Sequence, residues 1–248
     1  MESKIKVAAV SYLNTKPLLY GIENSKVISN IDLLLNYPSQ LATSLKNGDI
    51  DMALLPVAAI KDIPGAEIVS DYGIASDGNV ASVAIFSQVP MEEIETLFLD
   101  YQSRSSVKLA QVLIKQYWKK NIRLLPAGED YIEKIKGKQS GVIIGDRALI
   151  HANEFAYAYD LASAWKSFTG MDFIFAAWVA NKKLPKDFLQ LFNEANASGL
   201  KHIDEVVAKN PFPYYDLKKY YTVNIKYYLD ENKKEGMHRF LEMAEHED

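Results

Sequence analysis

Short apolar runs alternate with helical patterns in the first part of the chain. Lys4–Val10, Ile31–Asn36 and Ile50–Pro56 are predominantly apolar segments of strand length, and we predict that they are buried strands. Segments with helical spacing of apolar residues follow Leu18 and Pro38, where Ser39 is a candidate N-cap. This order of strand, helix, strand, helix and strand predicts a parallel sheet with right-handed crossovers.

The middle of the chain repeats this pattern. Asn79–Val89 is long enough to leave the first sheet and enter a second lobe, and an amphipathic helix is predicted from Val107 to about Lys119. Phe173–Ala180 is an apolar strand that we expect to return to the first lobe. The other strands predicted here are Ala66–Ile74, Thr96–Leu99, Asn121–Leu125 and Gly141–Ile144, and the other helices are Asp130–Lys136 and Asp146–Ala152.

The remainder of the chain is predicted to be mainly helical. One helix should span Pro185–Ala208 and another Asp230–Glu245, with a proline-rich break at Pro211–Pro213 between them. The tyrosines of Tyr214–Tyr228 recur at helical spacing, and we expect their side chains to contribute to packing.

These elements predict an α/β protein of two lobes with parallel-rich sheets and a cleft between them. Residues 1–86 and 175–248 should form the first lobe, and residues 87–174 the second. Open parallel sheets bind ligands beyond the carboxyl ends of their strands, so the cleft is the expected site.

Composition and charge narrow the function. The 248 residues carry a net charge of −4, which gives no basic surface for nucleic acid or an anionic membrane. The absence of cysteine excludes disulfides and thiolate chemistry. The start of the chain lacks a secretory signal, and the apolar runs are shorter than the about 18 residues of a membrane span. A cytoplasmic protein is expected.

The loop Ser11–Pro17 is the first candidate site, because it leaves the first predicted strand and is dense in hydrogen-bonding groups. Ser11, Asn14 and Thr15 could bind a ligand or could only cap the following helix, and the sequence leaves both interpretations open.

Two more candidate sites precede helices. Ser103–Ser106 offers serine hydroxyls and a helix N-terminus for a carboxylate or phosphate, and Arg104 could add a charge-assisted contact. Gly145 and Asp146 lie between a strand and a helix, where Asp146 is either an N-cap or a ligand acceptor. A serine cap with a solvated arginine remains the alternative at Ser103–Ser106.

Metal and phosphate-loop chemistry are not indicated. The histidines have no metal-binding spacing, and no glycine-rich phosphate loop or nucleophile elbow is present, so no metal or cofactor is expected. The four histidines are His151, His202, His238 and His246.

Several stretches resemble one enzyme family. SYLNTKPL (Ser11–Leu18) is similar to the loop at the start of the chorismate dehydratases of the futalosine route to menaquinone. GNVASVAIFS (Gly78–Ser87), SRSSVKLAQVL (Ser103–Leu113), IGDRAL (Ile144–Leu149) and WKSFTGMDFIFAAWVA (Trp165–Ala180) resemble later segments in the same order, although Ser105 stands where that family usually has threonine.

This resemblance implies a type II periplasmic-binding-protein-like fold and a lyase that dehydrates chorismate to 3-[(1-carboxyvinyl)oxy]benzoate. Chorismate has two carboxylates. The resemblance assigns one to Ser105, Ser106 and the helix that follows, and the other to Ser11, Ser82 and nearby backbone donors. Asn14 would orient the enolpyruvyl carboxylate, which takes the ring proton in a substrate-assisted route, or the departing hydroxyl.

Three other classes of protein are alternatives to a dehydratase. A non-catalytic solute-binding protein would share the fold but is expected to carry an export signal. A transcription regulator would need a DNA-binding domain before the first strand. The sister dihydroxynaphthoate synthase of the pathway opens with a Ser-Pro-Cys-Pro-Asn-Asp-type loop, which this chain lacks.

Overall fold

The computed structural model of the chain describes residues 4–36 and 38–245, with the side chains of Pro38 and Ser39 left out. The predicted cap at Ser39 and His246 therefore lie outside the described residues. Contacts within the chain divide it into two compact units. The first unit comprises the residues up to Ala75 together with Ile174–Asp230, and the second comprises Ser76–Phe173 together with the residues from Glu231 onward.

The described residues form eleven strands and nine α-helices. The strands are β1 (Ile5–Ala9), β2 (Ile31–Leu35), β3 (Met52–Pro56), β4 (Glu67–Ser76), β5 (Val83–Ser87), β6 (Thr96–Leu99), β7 (Arg123–Pro126), β8 (Gln139–Ile144), β9 (Tyr157–Asp160), β10 (Phe173–Ala180) and β11 (Lys226–Tyr228). The helices are α1 (Lys16–Glu23), α2 (Pro38–Asn47), α3 (Arg104–Val112), α4 (Gly145–Ile150), α5 (Leu161–Thr169), α6 (Lys186–Gly199), α7 (Ile203–Lys209), α8 (Leu217–Lys219) and α9 (Glu231–Glu245).

The first sheet has the strand order β11-β4-β10-β3-β1-β2. Strand β1 lies between β2 and β3 and is parallel to both, as the alternation of strands and helices predicted. Strand β10 joins this sheet antiparallel to β3, with Val179 opposite Ala53. The carboxyl ends of β1, β2 and β3 therefore lie at one edge of the sheet.

The second sheet has the order β7-β6-β8-β5-β9. Strand β6 is parallel to β7 and β8, whereas β5 is antiparallel to β8 and β9. Because β5 and β8 run in opposite directions, the start of β5 at Val83 lies opposite Ile144 at the end of β8. Residues just before β5 thus share an edge with residues just after β6 and β8.

Both units have an apolar core. In the first, helix α2 contributes Leu41 and Leu45 to a buried cluster with strand residues. In the second, Tyr131 and Phe98 lie in a buried cluster with residues of β5 and β8. No helix among the described residues is long and apolar enough to cross a membrane.

Several predicted elements differ from the observed ones. The strand predicted at Asn79–Val89 begins only at Val83, because Asp160 takes up the backbone N–H groups of Val80 and Ala81. The helix predicted at Asp130–Lys136 is a single 3-10 turn, Tyr131–Lys134.

Three further differences lie toward the C-terminus. The helix predicted at Pro185–Ala208 is divided into α6 and α7, since α6 ends at Gly199. The tyrosine-rich segment contains the short strand β11 in addition to helical turns. Strand β9 and helix α5 were not predicted, although Asp160 caps α5 by accepting the N–H of Ser163.

The contact division also differs from the predicted lobe boundaries. Among the described residues, strand β5 pairs with β8 and β9 of the second unit. The contact division begins that unit at Ser76, whereas the sequence predicted a boundary at residue 87. Helix α9 belongs to the second unit as well. Its Phe240 ring packs 4.8 Å from that of Phe173 and 6.1 Å from that of Trp165, and Gly236 lies against the Asp172 carbonyl.

Candidate functional site

In the first unit, the predicted ligand loop leaves the carboxyl end of β1 and leads into α1. Thr15 is buried, Asn14 is partly buried and Ser11 is exposed. The Lys16 ammonium donates a hydrogen bond to Ser11 Oγ at 2.9 Å. The N-cap of α1 is Thr15, and its side chain makes no capping hydrogen bond. The cap interpretation of this loop therefore does not account for its hydroxyl groups.

Asn14 is fixed through both its side chain and its backbone. Thr15 Oγ1 donates to Asn14 Oδ1 at 3.1 Å, and the Tyr227 hydroxyl donates to the Asn14 carbonyl at 3.0 Å. Tyr227 comes from β11, more than 200 residues away, and is 4% exposed. Burial raises the pKa of Tyr227 well above its usual value, so this hydroxyl remains a donor at neutral pH.

A close contact between two helix backbones positions the start of α1. A Cβ added to Gly199 would lie 1.9 Å from the Pro17 carbonyl oxygen, and one added to Gly21 would lie 2.0 Å from that of Ala195. Only glycine permits this approach, in which α6 packs directly against the first turns of α1. The contact fixes the end of the loop that carries Asn14.

In the second unit, the predicted serine site lies at the N-terminus of α3, after β6. Ser103 is the cap: its Oγ accepts the N–H of Ser106 at 3.1 Å and donates to Ser106 Oγ at 2.9 Å. Ser105 and Ser106 are buried in the first turn, whereas Arg104 is exposed. The cap alternative is thus correct for Ser103, while the roles predicted for Arg104, Ser105 and Ser106 stay predictions.

Ser82, Gly145 and Asp146 lie at the same edge of the second sheet. The Gly145 N–H donates to the Ser82 carbonyl at 2.7 Å, which joins the start of β5 to the start of α4. Asp146 does not cap α4, because β8 continues to Ile144, which is the cap position, and Asp146 falls inside the first turn. Ser82 is 1% exposed.

Asp160 holds the backbone that precedes Ser82. Its Oδ2 accepts the N–H groups of Val80 at 3.0 Å and Ala81 at 2.9 Å, and its Oδ1 caps α5 through Ser163 at 2.8 Å. Ala81 has a φ of 63°, a left-handed conformation that costs energy for a residue other than glycine. Burial raises the pKa of Asp160, and the three backbone donors oppose that increase.

Sequence reasoning missed a buried ionic group at this edge, formed by Asp100, Arg147 and Tyr131. Asp100 directly follows β6, has a fully buried side chain and accepts both contacts of Arg147 Nη2, at 2.9 Å to Oδ1 and 2.7 Å to Oδ2. The Tyr131 hydroxyl lies 2.8 Å from Asp100 Oδ2 and 2.7 Å from the Val142 carbonyl. The sequence contained one signal for this group, because Asp100 and Arg147 each follow the carboxyl end of a strand.

The sequence-predicted site residues thus fall into two groups. The first unit holds Ser11 and Asn14, and the second holds Ser82, Arg104, Ser105, Ser106, Gly145 and Asp146. Among the described residues, no group of three or more histidine, aspartate or glutamate side chains could hold a metal ion. His151 Nδ1 lies 2.7 Å from Glu154 Oε2 in a partly exposed surface pair.

Solved structures identify the class of fold. A protein from Archaeoglobus fulgidus is 13% identical, with a TM-score of 0.80 over 99% of this chain and 98% of its own. A Candida albicans protein, described as having the generic periplasmic binding protein fold, is 14% identical with a TM-score of 0.67 over 98% and 90%. A nutrient-binding protein from Burkholderia cenocepacia, bound to methionine, is 12% identical with a TM-score of 0.55 over 81% and 95%. The fold is that of periplasmic binding proteins.

The family follows from the sequence comparison. A family model described as menaquinone biosynthesis matches residues 5–246. Two relatives are named chorismate dehydratase: one from Thermus thermophilus is 25% identical over 93% of this chain and 92% of its own, and one from Campylobacter jejuni is 27% identical over 90% and 86%. The chain belongs to this menaquinone-biosynthesis family, which confirms the resemblance drawn from the Ser11–Leu18 loop and the later stretches.

Proposed function

We propose that this protein is a chorismate dehydratase, a lyase that converts chorismate into 3-[(1-carboxyvinyl)oxy]benzoate and water. The observation that carries the proposal is that two relatives with this name align with 90% or more of the chain. The polar Ser11–Lys16 loop at the end of β1 and the serine-rich start of α3 are consistent with an anionic substrate.

The helix α3 is the proposed binding site for one substrate carboxylate. Ser105 and Ser106 lie in its first turn, where backbone N–H groups and the positive end of the helix dipole favour an anion. Ser82 and Gly145, whose backbones are joined at the same sheet edge, and Asp146 are the neighbouring candidates. In the first unit, Ser11 is the candidate for a carboxylate contact.

The proposed reaction removes the ring proton beside the enol ether together with the hydroxyl group on the adjacent carbon. The C–H electron pair forms the last double bond of the aromatic ring as the C–O bond breaks, and the released proton and hydroxide balance as water. We assign the proton acceptor to the enolpyruvyl carboxylate of the substrate. The role of Asn14 is then to orient that carboxylate or the departing hydroxyl, so catalysis depends on positioning and hydrogen bonding.

The first experiment is incubation of the purified protein with chorismate, without added metal or cofactor, and identification of the products by chromatography and mass. A product lighter by one water, formed faster than in a protein-free control, supports the proposal. Binding of chorismate without conversion would instead indicate a non-catalytic binding protein, because a shared fold does not decide function.

Asn14→Asp tests the role of the loop. The change preserves shape but places a negative charge toward a dianionic substrate, so kcat should fall by at least about 100-fold. Asn30→Asp introduces the same charge at an exposed position before β2 and should leave turnover unchanged. Near-normal turnover of Asn14→Asp would contradict the role assigned to Asn14.

A further inference from the structure

We propose that Arg147 is a further substrate-binding residue, which contacts a carboxylate of a cyclic dicarboxylate substrate with the part of its guanidinium group that Asp100 leaves open. The inference depends on the proposed function only for the identity of the substrate. Independently of that identity, the inference predicts a binding site in the second unit for a carboxylate attached to a six-membered ring.

The hydrogen bonds of Arg147 leave much of its donor capacity unused. A guanidinium group has five N–H donors, and within residues 4–36 and 38–245 both side-chain hydrogen bonds of Arg147 are made by Nη2. The side chain is 24% exposed, whereas that of Asp100 is fully buried. Nε and Nη1 are thus the donors with which Arg147 can reach a ligand.

The guanidinium group is held in one place by its surroundings. It lies 5.3 Å from the centre of the exposed Tyr101 ring and 6.0 Å from that of the buried Tyr131 ring. Asp100, which binds it, is itself oriented by the Gln102 N–H at 2.8 Å. Such a fixed planar group loses little conformational entropy when it binds a carboxylate.

Charge and location both suit an anionic ligand. Burial disfavours the charged form of Arg147, but the Asp100 carboxylate outweighs this effect and keeps the pKa above its usual value. Burial and the Asp100 charge also raise the pKa of Tyr131, so its hydroxyl stays protonated. Arg147 is in the first turn of α4, after β8, and Asp100 follows the adjacent parallel strand β6, which also leads into α3. The group therefore shares the sheet edge of the proposed carboxylate site.

The alternative is that Arg147 has a purely structural role and only neutralises Asp100. The single variant Arg147→Gln cannot distinguish this role from ligand binding, because it leaves a buried carboxylate without its counter-charge. The double variant Asp100→Asn with Arg147→Gln removes both charges and retains two amides that can bond to each other. Arg123→Gln removes the same charge from an exposed position on β7 and is the matched control.

The measurement is calorimetric titration of the wild type, the double variant and the control with isophthalate, a stable aromatic dicarboxylate. We expect the double variant to unfold within a few degrees of the wild type and to bind isophthalate about 10- to 100-fold more weakly, as loss of a hydrogen bond to a charged group implies. Arg147→Lys with Asp100 retained should give an intermediate affinity, since lysine keeps the charge but not the planar fork.

Equal affinity of the wild type and the double variant would overturn the inference, as would the absence of isophthalate binding to the wild type. The chorismate assay of the wild type decides the proposed function separately. A protein that converts chorismate but binds isophthalate equally well without Arg147 would retain the proposed function and lose only this inference.

Discussion

The carboxyl edges of the two sheets are organised by different physical means. In the first unit the backbone of the candidate loop is fixed by neutral contacts, namely the Tyr227 hydroxyl on the Asn14 carbonyl and the glycine-mediated approach of α6 to α1. In the second unit the corresponding edge is fixed by carboxylates: Asp100 binds Arg147, and Asp160 accepts three backbone N–H groups.

This difference determines how each edge responds to its environment. Close packing and neutral hydrogen bonds change little with pH, whereas buried carboxylates link stability to proton binding. Buried pairs are screened much less by salt than exposed ones, so ionic strength should affect neither edge strongly. Mutations of glycine at the first edge and of carboxylates at the second should therefore separate the two edges.

The largest effect on the first edge is expected from Gly199→Ala. The added methyl group would overlap the Pro17 carbonyl and push α1 away from α6, at a cost of about 1–3 kcal/mol in the free energy of unfolding. Gly78→Ala is the control, because a Cβ there meets no atom within 4 Å. Denaturant unfolding measures both variants. Equal stability of the two would show that the helix contact does not constrain α1.

A smaller, pH-dependent effect is expected from Asp160→Asn. An amide can accept fewer of the three backbone N–H bonds, which should cost about 1–2 kcal/mol. Because burial raises the folded-state pKa of Asp160, the carboxyl's contribution is fully present below the unfolded pKa of about 4 and is lost as pH rises through the folded pKa. The cost of the substitution should therefore decrease as pH rises above about 4.

For Asp51→Asn we expect the stability cost of the substitution to depend on pH in the opposite direction. Burial tends to raise the pKa of Asp51, but hydrogen bonds and charge from Lys182 and the Lys6 N–H outweigh it, so the pKa is lowered. Its contribution is present above about pH 4 and is lost as pH falls through the folded pKa, so the cost of Asp51→Asn should grow as pH rises. The measurement is a set of unfolding curves at several pH values for both variants. Slopes of the same sign for Asp51→Asn and Asp160→Asn would contradict this pair of expectations.

The smallest effect on stability is expected from Tyr227→Phe. Loss of the hydroxyl removes the donor to the Asn14 carbonyl and should cost about 1 kcal/mol, independently of pH between about 5 and 8. Turnover of chorismate should fall as well, since the Asn14 loop loses a constraint. Tyr228→Phe, at an exposed position next to it, is the control. An unchanged kcat for Tyr227→Phe would separate this hydrogen bond from catalysis.

Local patterns predicted the parallel part of the fold well, because β1, β2 and β3 are short apolar runs separated by clear helical signals. The serine start of α3 was predicted from the same kind of local signal. These features depend on neighbouring residues, which a single sequence displays directly.

The missed features depend on residues far apart in the chain. Asp100 meets Arg147 across 47 positions and Tyr131 across 31, and no local pattern marks such a pairing. The start of β5 was placed too early because its apolar pattern extends through Val80, and only the distant Asp160 removes those N–H groups from strand pairing. The interpretation of Asp146 as a cap failed because α4 begins at Gly145, directly after β8, so Asp146 falls inside the first turn of the helix.

The threading of the chain through the two units has a consequence for synthesis on the ribosome. The chain enters the second unit at Ser76, returns to the first at Ile174 and enters the second again at Glu231. Strand β10, at the middle of the first sheet, is therefore synthesised long after β3, with which it pairs. Phe240 is likewise synthesised long after Trp165, against which it packs. Nascent chains that end before residue 174 should leave β3 unpaired on the side that β10 later joins and should expose apolar surface, so this is the stage at which a chaperone would be needed.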